Sequence, residues 1–507
     1  MQETPEIPQQ KKEDYVFAVD DKQDLFTCTY RPQASDIVFD FRNRTVTYKC
    51  FDTFGKDIAD NPFDFEPRPL EFLQRVSEPK STRFGEAKTV SLADYGISMI
   101  SQDGKYLLPL HTAFDFMLWA PQCPYRILCT NNKAVFVGSH SSMFGYSDAL
   151  SELGKLYFSE QPRERSSELA QYGYGELCLM LDNFFGLKET HHIDSFRELF
   201  HVNGYEESFL STDPGKADQA LCDTIRFILD DFHSSEDFPS WMVGAEHINS
   251  YDGKSLCQEK DEIRIKAFEE AFAGSAISSG GFYTESGNTA YVVLTGMNTS
   301  IDSETFYARD FSDINNVNSF DTVEIVAYAH RMINRENSPI ENVVIDISRN
   351  SGGDLVSSGF VLSWFLGKGY VTTGNTFSNG LGVLQYWADV NQDHQFNDDD
   401  CLYGKKNLFC LISPETFSSA NMLANMLKNS GVVTILGQTS RGGSGMKTPA
   451  VTGWDTFFYI SGFKTIATVR NGSWFDADGG AVPDVYIRDP KTFFDRDKLT
   501  EMINGIQ

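Results

Sequence analysis

The stretch from Phe409 to Gly443 constrains the fold most, because apolar runs alternate in it with tight polar turns. It contains, in order, an apolar strand, a polar turn with Ser418 and Ser419, a helix, a second apolar strand and a glycine-rich turn. A serine on a sharp strand-to-helix turn lies at a sheet edge, beside helix N–H groups that stabilise an oxyanion. This is the setting of a serine nucleophile, although a serine before a helix is more often an N-cap.

A second unit of the same kind precedes it. The segment Val343 to Asp354 begins with another buried-type strand, which leads into Asn350 to Gly353. Glycines allow a backbone to approach a ligand closely and to direct its N–H groups at it. The two units together predict one loop of hydrogen-bond donors, at Gly352 and Gly353, beside one nucleophile, Ser418.

Strands and helices alternate from residue 290 onward, which predicts an α/β domain with a mainly parallel sheet and right-handed crossovers. The predicted strands cover 290–294, 343–347, 408–412 and 432–436, and the predicted helices cover 321–333, 356–366 and 420–428. Active groups of such sheets gather at the carboxyl ends of the strands, where the glycine loop and Ser418 both lie.

Several motifs in this part of the chain resemble those of the tail-specific, or C-terminal-processing, serine peptidase family. The similarity covers about residues 219–490 and implies a ClpP/crotonase-like core that hydrolyses peptide bonds. The motifs are Asp346-x-x-Arg349-Asn350-x-Gly352-Gly353, Phe417-Ser418-Ser419-Ala420-Asn421, Gly437-Gln438-Thr439-Ser440-Arg441-Gly442-Gly443, Leu229-Asp230-Asp231-Phe232-His233-Ser234 and Gly480-Ala481-Val482-Pro483-Asp484.

The resemblance fits best the tricorn-like branch of the family, which uses a histidine and no catalytic lysine. The lysine branch places its lysine 25 residues after the serine, and this chain has Gly443 there, with Lys447 four residues further along. The histidine segment of the family is matched by residues 229–234, so the resemblance implies that His233 is the general base. Histidine suits that role because its ordinary pKa lies near working pH.

The resemblance also implies an acyl-enzyme on Ser418. The oxyanion would be held by the N–H of Ser419 and by one from Gly352 or Gly353, and His233 would protonate the leaving amine.

Two members of the implied catalytic group are less well matched. The orienting hydroxyl of the tricorn-like site directly precedes the histidine, where this chain has a phenylalanine, so Ser234 or Ser235 would replace it. Relatives often have a glutamate where Val482 stands, so the acid is assigned to Asp478, with Asp476 as the other nearby carboxylate.

An acidic loop at 389–400 resembles the calcium loop of EF-hand and dockerin modules. A histidine replaces the glycine of the sharp turn and an aspartate replaces the bidentate glutamate, so a weak structural calcium site and a solvated acidic loop are both open. No cofactor is expected for catalysis, and zinc is not expected because no H-E-x-x-H motif or Cys/His cluster appears. The expected calcium ligands are Asp389, Asn391, Asp393, Asn397 and Asp400.

Composition limits the partners of the chain. The formal charge of −28 argues against nucleic acid and anionic membrane surfaces. No apolar run reaches the 18 or so residues of a membrane span. The family resemblance implies a peptide or protein substrate, and the oligomeric state is open. The nine cysteines form no C-x-x-C motif, and most are expected to be free and buried, although Cys123 could pair with Cys129 and Cys401 with Cys410.

Four regions are predicted along the chain. Residues 1–14 are polar and are expected to be disordered. The family resemblance implies that they are a tether left after a removed export signal, and therefore an extracytoplasmic location. Residues 15–160 form a β-rich N-terminal domain, 165–285 a helical part of the peptidase region carrying His233, and 286–507 the α/β catalytic core. Only about 55 residues separate His233 from the first core strand, too few for a PDZ module.

Two other functions remain open at this point. The missing lysine and the uncertain acid favour an inactive peptidase-fold protein that binds a peptide or another ligand. An esterase would use the same nucleophile and base on a different acyl group.

Overall fold

The computed structural model describes most of the chain. The described residues are 12–53, 70–75, 84–119, 126–130, 133–137, 150–247, 255–275, 281–470 and 473–506. Cys123 and most of the predicted tether therefore lie outside the described residues. Within the described ranges, no helix is long and apolar enough to cross a membrane.

An antiparallel sheet begins the N-terminal region, as the period-two alternation there predicts. The elements of this region are β1 (Tyr15–Asp20), β2 (Leu25–Tyr30), β3 (Ser35–Asp40), β4 (Thr45–Tyr48), β5 (Leu73–Arg75), β6 (Lys88–Ser91), β7 (Ile100–Gln102), β8 (Lys105–Leu107), α1 (Leu110–Phe114), β9 (Arg126–Thr130) and β10 (Lys133–Val137). The sheet order is β1-β2-β3-β4-β6, and β7–β8 and β9–β10 are separate hairpins.

Helices dominate the middle of the chain. They are α2 (Glu152–Tyr157), α3 (Ser167–Phe184), α4 (Phe196–Val202), α5 (Glu206–Phe209), α6 (Pro214–Thr224) and α7 (Leu256–Ala273), with β11 (Ser235–Phe238) before α7. A π-helical turn, Ile225–Leu229, continues α6 and ends at Asp230, whose φ of 40° reverses the chain toward His233. The helix predicted before His233 therefore delivers it as expected.

The remaining elements form the α/β core. They are β12 (Tyr283–Ser286), β13 (Thr289–Val293), α8 (Ser303–Ala308), α9 (Thr322–Ile333), β14 (Asn342–Asp346), α10 (Leu355–Leu366), β15 (Gly369–Asn375), β16 (Gly380–Ala388), β17 (Asn407–Ile412), α11 (Ser418–Asn429), β18 (Val433–Gly437), β19 (Gly445–Val451), β20 (Phe457–Arg470), β21 (Ser473–Asp476), β22 (Val485–Tyr486), α12 (Pro490–Phe493) and α13 (Arg496–Asn504).

The predicted parallel sheet is confirmed. Its order is β12-β13-β14-β17-β18-β22, and every pair from β13 to β22 is parallel. Successive residues of β14 face opposite layers, because side chains alternate along a strand. Val343 and Ile345 pack in the cluster with α9, α10 and α11, whereas Val344 packs with Phe268 of α7 and with α12 and α13. Burial on both faces is typical of parallel sheets.

A second, antiparallel sheet was not predicted from the sequence. Its order is β11-β20-β15-β16-β5, and β19 and β21 also pair with β20. Helix α10 packs on β15 and β16, and α11 contacts β20 as well as β17 and β18, so these two helices lie between the sheets. Strand β5 comes from the N-terminal region, and the predicted domain boundaries at 160 and 286 stay predictions.

A buried ion pair fastens α13 to the parallel sheet. Arg496 Nη2 lies 2.6 Å from Asp346 Oδ2, and both side chains are less than a tenth exposed. The guanidinium also lies 4.5 Å from the ring centroid of Tyr291. Asp346 ends β14, immediately before the glycine loop, so this pair anchors the strand that carries the loop.

We expect Arg496→Ala to lower the free energy of unfolding by about 3–5 kcal/mol, because the carboxylate of Asp346 would stay buried without its partner. Lys498→Ala, on the same helix, should leave the unfolding midpoint nearly unchanged, since its ion pair with Asp495 is exposed. Denaturant unfolding followed by circular dichroism measures both. Equal losses in the two variants would contradict a structural role for the buried pair.

Candidate active site

Ser418 lies on a strained turn between β17 and α11. Its φ is 54°, in the left-handed region that residues other than glycine rarely adopt. The N-cap of α11 is Phe417, and no side chain caps the helix. The hydroxyl of Ser418 makes no hydrogen bond with any described residue. Ser418 is therefore not the N-cap serine that the more common interpretation of the motif would make it.

Hydrogen bonds from the neighbouring strand hold this turn. Thr416 Oγ1 accepts from the N–H of Ser413 at 3.0 Å and donates to the carbonyl of Ile347 at 2.8 Å. The N–H of Phe417 donates to the carbonyl of Asn350 at 3.1 Å. The turn after β17 is thus bonded to the loop after β14, as expected for adjacent parallel strands that end at one edge.

The glycine loop touches the serine turn. Gly352 has a φ of 103°, and a Cβ on it would lie 2.7 Å from Ser418 Cβ. Gly353 has a φ of 142°, and a Cβ there would lie 1.9 Å from the carbonyl oxygen of Met297. Neither position accepts a side chain, so both glycines are needed for this close approach.

The backbone donors around Ser418 differ in whether they are occupied. The N–H of Gly352 donates to Asn350 Oδ1 at 2.8 Å. The N–H groups of Gly353 and Ser419 donate to no described residue. A Cβ on Gly352 would lie 3.2 Å from the nitrogen of Ser419, so the loop and this donor are adjacent. Unsatisfied N–H groups at a helix start suit a developing oxyanion.

His233 packs against the residue that precedes the serine. Its ring centroid lies 4.6 Å from that of Phe417, and its side chain is buried. Nδ1 is buried without a hydrogen-bond partner. No hydrogen bond joins His233 to Ser418 in this structure. Catalytic hydrogen bonds are often long without substrate and tighten when it binds.

Burial lowers the pKa of His233 to about 4, and the positive charge of Lys447 acts in the same direction. A hydrogen bond with the backbone of Gly445 opposes the shift. The Nζ of Lys447 itself lies over the ring of Tyr459, 4.2 Å from the centroid. The sequence places Lys447 off the site, whereas here its charge acts on the histidine. The imidazole is consequently neutral at ordinary pH.

A carboxylate that the sequence analysis left without a role organises the histidine segment. Asp231 Oδ1 accepts from the N–H groups of His233 and Ser234, each at 2.8 Å, and from Ser461 Oγ at 2.8 Å. Its Oδ2 accepts from Ser234 Oγ at 2.5 Å. The hydroxyl of Ser234 therefore bonds to Asp231 and not to the imidazole. Asp231 stands inside the D-x-H-S motif, which was the available signal.

Asp478 also acts on backbone rather than on the imidazole. Its Oδ1 accepts from the N–H of Gly443 at 3.2 Å and from that of Ser444 at 3.0 Å. Burial raises the pKa of its carboxyl, and the charge of Asp231 adds to this. Asp476 Oδ1 in turn accepts from the N–H of Asp478 at 2.8 Å. Asp478 thus shapes the glycine turn that leads to Gly445 beside His233.

Arg441 connects three segments around the site. Its N–H donates to the carbonyl of Thr416 at 2.7 Å and its Nε to that of Pro414 at 3.1 Å. Its guanidinium lies 4.6 Å from the ring centroid of Phe232 and 3.4 Å from Asp261 Oδ2 of α7. The turn of the serine, the segment of the histidine and helix α7 are therefore joined through one side chain.

The acidic loop at 389–400 is closed by its own hydrogen bonds. Asp389 accepts from the N–H groups of Asp393 and His394, and His394 has the positive φ, 61°, that a glycine would supply in a calcium loop. Asp400 accepts from the N–H groups of Val390, Asn391 and Asn397. Burial, with the charge of Asp389, raises the pKa of Asp400 to about 6. Calcium binding here stays a prediction.

The disulfide considered between Cys401 and Cys410 is not formed. Cys129, Cys401 and Cys410 are free, and Cys401 and Cys410 are buried.

Comparison with known proteins identifies the class of this site. Residues 288–487 match the model of peptidase family S41. The matched range includes Ser418, the glycine loop and Asp478 but not His233. These residues therefore form an S41 domain, which is a serine-peptidase domain, and the predicted peptidase family is confirmed. The tricorn-like branch stays a prediction. No curated protein sequence matches the chain.

Solved structures of low similarity were also found. The photosystem II D1 C-terminal processing protease is 18% identical, with a TM-score of 0.29, and the match covers 40% of this chain and 43% of that one. A candidate peptidase from Parabacteroides merdae is 15% identical, with a TM-score of 0.44 and coverage of 66% and 96%. The tricorn protease is 14% identical, with a TM-score of 0.25 and coverage of 48% and 19%. The chain thus spans less than half of the first of these structures.

We expect Gly352→Ala to destabilise the protein more than Gly404→Ala does. Both glycines have positive φ, but a Cβ at 404 meets nothing within 4 Å, whereas one at 352 meets the serine turn. Strain is therefore common to the two variants, and the clash, worth about 1–3 kcal/mol, is confined to Gly352→Ala. Denaturant unfolding measures the difference. Equal destabilisation would mean that the loop and the turn are not in contact.

Proposed function

We propose that this chain is a serine peptidase that hydrolyses peptide bonds through an acyl-enzyme on Ser418, with His233 as the general base. The conformation of Ser418 carries the proposal. Its left-handed backbone costs on the order of 1–3 kcal/mol, yet its hydroxyl neither caps the helix nor bonds elsewhere among the described residues. A serine kept for structural reasons would use that hydroxyl, whereas a nucleophile needs it free.

In the acylation step, the Oγ of Ser418 attacks the carbonyl carbon of the substrate and its proton passes to the imidazole of His233. The oxyanion is held by the N–H groups of Ser419 and Gly353, which have no other described partner. The imidazolium then gives its proton to the amine as the C–N bond breaks. A water molecule, deprotonated by His233, releases the acid and restores Ser418.

Among the described residues, no lysine forms a hydrogen bond with the hydroxyl of Ser418, which supports the tricorn-like form of this mechanism. Lys447 packs over the ring of Tyr459 and makes no hydrogen bond with Ser418. Asp231 and Ser234 act as positioning residues for the histidine segment, and Asp478 positions the turn of Gly443 and Ser444. In this proposal the carboxylates of Asp231 and Asp478 hold backbone N–H groups, and the hydroxyl of Ser234 holds the carboxylate of Asp231.

The substrate class in the proposal is a peptide or protein. Cleavage at C-terminal tails is not part of it, because the segment between His233 and β12 holds helix α7 and is too short for a peptide-binding module. An extracytoplasmic location stays a prediction that rests on the family resemblance.

The pH profile of kcat/KM should have its acidic limb near pH 4 rather than near the ordinary histidine pKa. A general base works only when neutral, and the pKa of His233 is about 4, so the active fraction rises as the pH rises through that value. Lys447→Met removes a charge that lowers this pKa, and the limb should therefore move to higher pH. Lys498→Met, far from the site, should not move it. If the acidic limb of kcat/KM did not move in Lys447→Met, His233 would be excluded as the titrating base.

Active-site labelling with a fluorophosphonate, followed by mass mapping, tests the nucleophile. We expect an adduct on Ser418 that is absent in Ser418→Ala and forms about 100- to 10,000-fold more slowly in His233→Ala, since the base activates the hydroxyl. Ser419→Ala is the matched control, because it keeps the backbone N–H and should still be labelled. Folding of each variant is checked by circular dichroism.

Other outcomes of the labelling would favour the rival functions. Folded wild-type protein without any adduct would contradict the peptidase and favour a peptide-binding protein of the same fold. An adduct on Ser419 would move the nucleophile by one residue. If Ser418 is labelled, matched peptide and ester substrates separate a peptidase from an esterase.

A further inference from the structure

A histidine, a cysteine and an aspartate meet away from the candidate active site. They are His111 of α1, Cys129 of β9 and Asp455, in the turn between β19 and β20. One potential ligand atom from each lies within 4.8 Å of the other two, and among the described residues this is the group of three or more such side chains that could hold a metal. His111 and Asp455 are buried, and Cys129 is partly buried.

We propose that His111, Cys129 and Asp455 bind a zinc ion. Imidazole nitrogen, thiolate sulfur and carboxylate oxygen are the ligand types that zinc takes in proteins, at about 2.0–2.3 Å. Ligand atoms of a tetrahedral site are consequently roughly 3.3–3.8 Å apart. His111 Nε2 lies 3.0 Å from Asp455 Oδ1, and the ligand atoms of the three residues lie within 4.8 Å of one another. Side-chain movements of about 1 Å would bring them to the separations of a tetrahedral site. Water would complete the coordination.

The charges of the group match a divalent cation. With the thiol of Cys129 deprotonated, that residue and Asp455 contribute two negative charges, and neutral His111 contributes none. The proton of the hydrogen bond between His111 Nε2 and Asp455 Oδ1 would leave that nitrogen, for Nδ1 or for solvent, when zinc binds there. The thiol proton would be released to solvent, and a neutral centre would remain. A buried neutral centre avoids the cost of an uncompensated charge away from water.

Neighbouring side chains form hydrogen bonds with the backbone of two of the proposed ligand residues. The hydroxyl of Tyr157 donates to the carbonyl of Asp455 at 2.5 Å, and Trp241 Nε1 donates to the carbonyl of Cys129 at 2.8 Å. The N–H of Cys129 donates to Asp455 Oδ1 at 2.6 Å. Supporting hydrogen bonds of this kind fix ligand orientation in metal sites.

The site would join distant parts of the chain. His111 and Asp455 are 344 residues apart in sequence. Asp455 lies just before β20, which pairs with β11, and β11 begins two residues after His233. A zinc ion would therefore tie the N-terminal region to the sheet beside the histidine segment. Zinc was not expected from the sequence, because no local motif contains these three residues.

Cobalt(II) substitution tests the proposal on the full-length chain. After treatment with a chelator, the wild-type protein should bind one equivalent of cobalt(II) and show the ultraviolet charge-transfer absorption of a thiolate–cobalt bond. Zinc should displace it. Cys129→Ser should lose this absorption, and His111→Ala should bind zinc at least tenfold more weakly. Cys257→Ser is the matched control, since Cys257 is also free and partly buried but outside the group.

Alkylation of the wild-type protein gives a second measurement that needs no variant. Zinc should protect Cys129 from iodoacetamide, and mass mapping should find Cys257 equally modified with and without the metal. Absence of cobalt or zinc binding by the folded protein would overturn the proposal. So would a charge-transfer band that survives in Cys129→Ser, or metal binding confined to the acidic loop at 389–400, whose oxygen ligands give no thiolate absorption.

Discussion

The approach of the glycine loop to the serine turn is the contact on which the rest of the site depends. Strands β14 and β17 pair in parallel, with Ile345 opposite Cys410, so their carboxyl ends lie side by side. The two loops that leave these ends can share one small volume only where a Cβ is missing, as at Gly352. The strained conformation of Ser418 is then held by the bond from Phe417 to Asn350 and by the packing of two layers beneath it.

The environment of the histidine follows from a different constraint. His233 comes from outside the parallel sheet, and its segment is fixed by Asp231 and by pairing of β11 with β20. Packing against Phe417 removes the imidazole from water, which keeps it neutral. The nucleophile and the base are therefore supplied by two sheets, with α10 and α11 between them, and their relative position depends on how those layers pack.

Much of the α/β core could be predicted because its elements are local. Seven of these elements were predicted from apolar runs and turn signals, and their observed bounds differ from the predicted ones by a residue or two: β13, β14, β17, β18, α9, α10 and α11. Strands β15 and β16 and helix α8, which lie among them, were not predicted. Ser418, the glycines and His233 lie in short motifs, so they could be named from the sequence. Asp231 and Asp478 also stand in these motifs, but their hydrogen bonds to backbone N–H groups could not be predicted, because only the folded chain shows which groups each carboxylate faces.

The antiparallel sheet escaped prediction for a related reason. Strand β16 alternates buried and half-buried residues, but its partners gave no signal in the sequence. Strand β15 contains glycine and threonine, and β5 is remote in sequence. Strand β20 contains a glycine in mid-strand and pairs with four different segments. The cluster of His111, Cys129 and Asp455 is the extreme case, because its members share no sequence neighbourhood at all.

Strand β5 has a consequence for how the chain can be divided. Residues Leu73 to Arg75 cover the edge of β16, and the preceding Phe72 inserts its ring between Phe306 and Phe360 of the core. A fragment that began at the catalytic core would lack both the edge strand and the ring of Phe72. The backbone N–H and C=O groups of Tyr386 to Ala388 would then be unpaired and exposed to water. Unpaired strand edges can pair with another chain, which leads to aggregation. The N-terminal segment is therefore an integral part of the core sheet, and the core cannot be separated from it without exposing an unpaired edge.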